Sequence, residues 1–132
     1  LMAKTALHRK IVQTACIFLL VGVALAAVGS HALKGKVPPK VAEAFTTGVT
    51  FVLLHGIAFL ALGNSSLWQE KALQNTFRFL LAGVLCFSGS IFLLTLFKLF
   101  TLTIPFLSLI TPLGGLLLIL GWGYAALSLS KK

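Results

Sequence analysis

Four runs of apolar residues, each about as long as a lipid bilayer is thick, constrain this chain more than any other feature. They extend from Ile11 to Leu33, from Val41 to Leu62, from Phe77 to Phe97 and from Pro112 to Leu129. At about 1.5 Å per residue, a helix needs roughly 20 residues to cross the hydrocarbon core. No water in that core can satisfy backbone N–H and C=O groups, so each crossing must close its own hydrogen bonds. Four such spans use about 80 residues of the 132 in the chain, leaving only tails and short loops. Charge confirms the assignment: only 10% of the residues are charged and 58% are apolar, where a soluble domain carries about 25% charged residues. Too few polar groups remain to cover a soluble globule. A soluble enzyme, a disordered tail and a disulfide-stapled secreted module are excluded. The expected fold is all-α: a single polytopic membrane domain over residues 1–132, with four transmembrane helices in a compact bundle.

The little charge present is one-sided. Eleven Lys and Arg face only Glu43 and Glu70, for a formal net charge of +9. The basic residues cluster beside the apolar runs, where they set orientation and meet anionic headgroups; they do not form a nucleic-acid surface. With four spans, both tails and the middle loop share one face. That face carries Lys4, Arg9, Lys10, Lys71, Arg78, Lys131 and Lys132. The other carries Lys34, Lys36, Lys40 and Lys98. The positive-inside rule then places both termini in the cytoplasm of a bacterial inner membrane. Asn64-Ser65-Ser66, formally a glycosylation sequon, falls on the cytoplasmic side.

Several local features punctuate the runs. Leu1 ahead of Met2 reads as a remnant before the natural start. The first run exceeds the 7–15 apolar residues of a signal peptide, so it is expected to remain as a span despite the small residues Ala26-Ala27-Val28-Gly29. Pro38-Pro39 closes the first loop, and Glu43 is expected at the start of the second helix, where a carboxylate suits the positive dipole end. Gly63-Asn64-Ser65-Ser66 stops that helix. Trp68 to Arg78 reads as a short amphipathic connection. Phe106 to Thr111, bracketed by Pro105 and Pro112, is too short to cross and reads as an interfacial turn or a gradual start to the fourth run. Cys16 and Cys86 lie inside apolar runs without CxxC spacing, as buried packing residues do.

Small residues recur at helical spacing in three spans. Gly22, Ala26 and Ser30, with Gly29 adjacent, mark the first. Gly83, Cys86 and Ser90, beside Ser88 and Gly89, mark the third. Thr111, Gly114, Gly115, Gly121, Gly123 and Ala125 mark the fourth. Such faces let membrane helices approach closely. Phe, with 11 copies, belongs in the hydrocarbon, whereas Trp68, Trp122 and Tyr124 read as interface anchors on the cytoplasmic side.

His31, Glu43 and His55 are the groups able to support proton or metal chemistry near the membrane. His55 lies twelve residues beyond Glu43, about 18 Å deeper. An ionisable group at that depth is a functional candidate by default. The plainer expectation is a neutral imidazole hydrogen-bonded to a hydroxyl of a neighbouring helix, with Ser30, Thr46, Thr47, Thr50, Ser88 and Ser90 available. A metal site needs three or four converging ligands, and a triad needs nucleophile, base and orienter in reach. Neither pattern is present, and no metal, cofactor or catalytic residue is assigned. An enzyme would require His31, Glu43 and His55 to converge.

Gly29-Ser30-His31-Ala32-Leu33-Lys34, Ala44-Phe45-Thr46-Thr47-Gly48-Val49 and His55-Gly56-Ile57-Ala58 form recognisable blocks. Leu85-Cys86-Phe87-Ser88-Gly89-Ser90 and Ile110-Thr111-Pro112-Leu113-Gly114-Gly115, with Gly121-Trp122 following, extend them. In this order they resemble the family called domain of unknown function 423, which includes the transmembrane protein 256-like group. The resemblance implies a four-helix inner-membrane protein with its termini inside, and it implies no activity. Two features depart from the family pattern: Phe51-Val52-Leu53-Leu54 ahead of His55 replaces a more polar approach, and Phe100 to Leu109 is longer and more apolar.

The polar residues singled out are His31, Glu43, Thr47, His55, Ser88, Ser90 and Thr111, with Gly48 and Pro112 beside them. The expected function is a non-enzymatic bundle that binds membrane lipid, another membrane protein or a second copy of itself. The alternative is a small channel or transporter with a path past His55, Thr47, Ser88 and Ser90.

Overall fold

A computed structural model describes residues 5–131; Met2, Lys4 and Lys132 lie outside the described residues. Four helices follow one another: α1 (Ala6–His31), α2 (Pro39–Asn64), α3 (Glu70–Leu99) and α4 (Leu107–Ser130). All four are long and apolar enough to cross a membrane.

The helix ends follow from local chemistry. Thr5 caps α1: its Oγ1 accepts the His8 N–H and pairs with His8 Nδ1 at 2.8 Å, satisfying donors a helix start leaves open. Pro39 occupies the first position of α2, where its missing N–H costs nothing and its fixed φ is already helical. Glu43 is therefore in the second turn, and the first turn of α2 holds no acid. The expected dipole role fails because the helix starts four residues earlier. Helix α3 carries Glu70 in its first turn and Lys98 in its last, each matched to the dipole. It begins well before the apolar run, so most of the segment read as a connection is helix. Likewise Phe106 to Thr111 is mainly the opening turn of α4, with Pro112 tolerated inside it.

The end of α3 helps to shape a cavity at this end of the bundle. Leu102 N–H donates to Phe97 C=O at 2.8 Å and Thr101 N–H to Lys98 C=O at 3.1 Å. This is a Schellman closure, which needs a left-handed residue just past the helix. Thr101 supplies it at φ 55°, a place glycine usually takes because a β-branched side chain is strained there. Gly35, at φ 76°, fills the equivalent need in the α1–α2 turn.

Connections this short make successive helices antiparallel. Helix α1 packs along α2, α3 packs along α4, and α2 and α3 join the two hairpins. Helix α1 barely meets α3, and among the described residues its backbone does not approach that of α4. The main core lies between Ile11, Ala15, Phe59, Leu73, Phe77 and Leu80, with Phe59 held between Phe18 and Phe77 at centroid distances of 5.3 and 5.1 Å. A smaller cluster of Leu33, Phe45 and Val49 fills the loop end of α1 and α2.

Glycines make these contacts close. A Cβ on Gly114 would sit on the α3 backbone at Phe87, and one on Gly83 would strike Leu118. Helix α2 also makes close contacts at glycines on two sides, which the sequence pattern did not reveal. Gly56 and Gly63 receive α1 at Leu19 and Val12, while Gly48 receives α3 at Phe92. Spacings of eight and seven residues hide these positions from a four-residue search. Cys86 is partly buried, but Cys16 is exposed on the outer side of α1, so the expectation of two buried cysteines fails for it. Leu20 and Ile119, each 71% exposed, show how the outer surface is covered by apolar side chains suited to lipid.

Candidate functional site

His55 lies on α2 and is 6% exposed. Its Nδ1 is 2.9 Å from Phe51 C=O, one turn back. Its Nε2 is 3.2 Å from the indole Nε1 of Trp122 on α4. A carbonyl only accepts and an indole N–H only donates. Nδ1 therefore carries the proton and Nε2 accepts, which assigns the neutral tautomer from its partners. A second ring proton would face the indole N–H. Phe51, Phe59 and Trp122 surround the ring at centroid distances of 6.0, 6.4 and 5.9 Å. The partner is thus a Trp, and none of the Ser and Thr hydroxyls expected from sequence. Trp122 is 42% exposed, so its indole covers the imidazole from the outer surface while tying α4 to α2.

Other hydroxyls between the helices are engaged too, although Thr76 Oγ1 is buried on α3 without a partner among the described residues. Ser88 Oγ on α3 donates to Gly48 C=O on α2 at 2.8 Å. Ser90 Oγ donates to Phe87 C=O at 3.0 Å, so Thr111 Oγ1 of α4 is the donor in its bond to Ser90. Asn75 Nδ2 donates to the Tyr124 hydroxyl at 3.1 Å, a second α3–α4 link. Hydrogen bonds between helices are a main source of specificity in lipid.

The candidates from sequence therefore divide. His55, Ser88, Ser90 and Thr111 hold helices together. Thr47 is exposed and bonds back to Glu43 C=O at 3.2 Å, as Thr46 and Thr50 do to their own preceding turns. His31 ends α1 and is exposed, and Glu43 is exposed on α2. No three His, Cys, Asp or Glu side chains come together among the described residues, so His31, Glu43 and His55 do not form one site. Trp122, Asn75 and Tyr124 were missed as bonding partners. One signal was available for Trp122: it stands one turn beyond Leu118, which is buried on the α4 seam.

An open volume lies elsewhere. A cavity of about 380 Å³ sits where α2 begins, α3 ends and α4 begins. Val41, Ala44, Ile91 and Leu94 form its helical walls, and Leu102, Ile104 and Pro105 of the α3–α4 connection close over it. Leu102 is delivered there by the Schellman turn. Two of its three hydroxyls are turned to the backbone: Thr95 donates to Ile91 C=O at 2.9 Å and Ser108 to Pro105 C=O at 2.7 Å, while Thr103 supplies the third. Lys40 and Lys98 also line it, and neither has an ion-pair partner among the described residues. Volumes of about 300–1,000 Å³ are typical of ligand sites. Neither lysine was a site candidate from sequence, because in a linear reading both are ordinary flanking charges.

Comparison with known proteins agrees with this architecture. The profile described as "Protein of unknown function (DUF423)" matches residues 25–115. A UPF0382 membrane protein of Bacillus subtilis, YwdK, is 34% identical over 108 residues, covering 78% of this chain and 81% of the relative. A UPF0382 membrane protein of Staphylococcus aureus is 32% identical over 103 residues, covering 78% and 80%. A UPF0382 membrane protein of the yeast Schizosaccharomyces pombe is 31% identical over 104 residues, covering 78% and 86%. No solved structure matches.

Proposed function

The chain belongs to the DUF423 family of multi-pass UPF0382 membrane proteins, and we propose that it acts without catalysis, as a helical bundle that binds a membrane lipid. One observation carries this proposal. The polar side chains deep in the spans, Thr76 excepted, bond to one another or to backbone, while a cavity of about 380 Å³ lined mainly by apolar side chains lies at the helix ends. A catalytic or conducting role would call for a polar group presented to a ligand or a water path. His55 has both ring nitrogens engaged, and Ser88 and Ser90 donate their single protons to carbonyls.

The excess of basic residues on the face shared by the termini supports a bacterial inner-membrane orientation with both ends in the cytoplasm. The cavity then opens toward the outer leaflet. Extraction from native membrane in mild detergent, followed by native mass spectrometry, tests the binding role. Retention of a lipid in defined stoichiometry is expected. A lipid-free protein with turnover on a small molecule would contradict it.

A further inference from the structure

The cavity at the loop end of the bundle also specifies a chemistry, and this step rests on the lipid-binding role proposed above. Two of its lining side chains are cationic, the Thr95 and Ser108 hydroxyls bond to backbone, Thr103 adds one further hydroxyl, and the rest are apolar. Glu43, the carboxylate nearest in sequence to Lys40, is exposed and does not line the cavity. Glu70 starts α3, at the opposite end of the bundle. Helices α2 and α4 both begin at this cavity while α3 ends there, so one positive helix-dipole end is left over to add to the lysine charges. On α3, the wall descends from Lys98 to Ile91, a rise of about 10 Å. That distance is roughly one third of the hydrocarbon core.

A cationic rim above an apolar shaft matches a molecule with an anionic head and a hydrocarbon tail. A free inorganic anion would leave the shaft empty, and a zwitterionic lipid offers no net charge to the lysines. We propose that this cavity binds an anionic membrane lipid. Its headgroup phosphate lies between Lys40 and Lys98, and one acyl chain runs down past Leu102 and Leu94 to Ile91.

The test uses the full-length protein in mild detergent, titrated by native mass spectrometry. The probes are phosphatidylglycerol, phosphatidylcholine of the same acyl chains, and inorganic phosphate as a competitor. The wild type should bind phosphatidylglycerol more tightly than phosphatidylcholine, and phosphate should not displace it. Each Lys→Gln change should weaken phosphatidylglycerol binding by about fivefold, the effect of one basic residue at an anionic surface. The double variant K40Q/K98Q should show the combined loss, K40R/K98R should retain binding, and K34Q/K36Q on the same face should behave as wild type.

Ala44→Phe, which fills the shaft, should abolish binding of both lipids. Equal binding of the two lipids, unchanged in K40Q/K98Q, would overturn the headgroup assignment while leaving lipid binding intact. An equal loss in K34Q/K36Q would reduce the effect to general surface charge and overturn the site. Displacement by phosphate would identify a free anion as the ligand. Absence of any lipid binding would overturn both this inference and the proposal on which it rests.

Discussion

The imidazole in the middle of the bundle and the lysine-rimmed cavity at its end are both polar places in an apolar molecule, and they are built in opposite ways. At His55 every ring nitrogen has a partner on its own or a neighbouring helix, and aromatic rings cover what remains. At the cavity two charges face an apolar volume with no ion-pair partner among the described residues. A polar group deep in lipid must be satisfied by the protein, so it serves cohesion. A lysine at the interface keeps its charge in water and headgroups, so it stays available. Depth decides which polar residues are structural and which can bind.

Four tests would break or sharpen this contrast. The largest effect is expected at the seam that supports the bonded centre. Gly114→Ala would drive a methyl into the Phe87 backbone, and should cost about 3 kcal/mol in reversible unfolding from detergent. Gly89→Ala meets nothing within 4 Å and should be neutral or stabilising by up to about 1 kcal/mol; equal losses at both positions would refute the close α3–α4 approach.

Next in size is the imidazole itself. His55→Ala orphans the Trp122 N–H and opens a void, with an expected cost of about 2–3 kcal/mol. Trp122→Phe should cost about 1–2 kcal/mol. A double-mutant cycle between them should give a coupling of about 0.6–1.7 kcal/mol, the range for hydrogen bonds between membrane helices. Zero coupling would mean the indole and imidazole do not interact.

At the rim, Thr101→Gly should stabilise the protein by about 1 kcal/mol, because it relieves a β-branched residue at positive φ. Destabilisation there would contradict the Schellman closure. The smallest effect belongs to the lysines. In lipid-free detergent, K40Q/K98Q should unfold within about 0.5 kcal/mol of wild type, and a larger loss would make the lysines structural too.

Much of the architecture was legible in the chain because hydrocarbon imposes a length and a composition at once. The apolar runs reported the membrane interior, however, and not the helices. The Glu70 to Thr76 stretch is polar yet helical, because helices continue into the interface where charge is tolerated. His55 was legible as an ionisable residue at depth. Its partner was not, because Trp122 is 67 positions away and a tryptophan near a span end reads first as an anchor. The hydroxyls at Ser88, Ser90 and Thr111 stand out in the sequence, but which carbonyl or hydroxyl each meets depends on helix rotation.

The cavity left no local trace. It is made by three elements meeting in space, and by a turn in which Thr101 takes a left-handed conformation that no glycine announces. Lys40 and Lys98 are 58 residues apart in sequence, and each alone is an unremarkable flank.

Photo-cross-linking in proteoliposomes separates the bonded centre from the open end most directly. A photoactivatable anionic lipid would be incorporated, and its adducts mapped by peptide mass spectrometry. Adducts should concentrate between residues 91 and 108, fall sharply in K40Q/K98Q, and persist in Trp122→Phe. Adducts centred on residues 51–59 and Trp122, and unaffected by loss of the two lysines, would contradict the division between a structural histidine and a binding cavity.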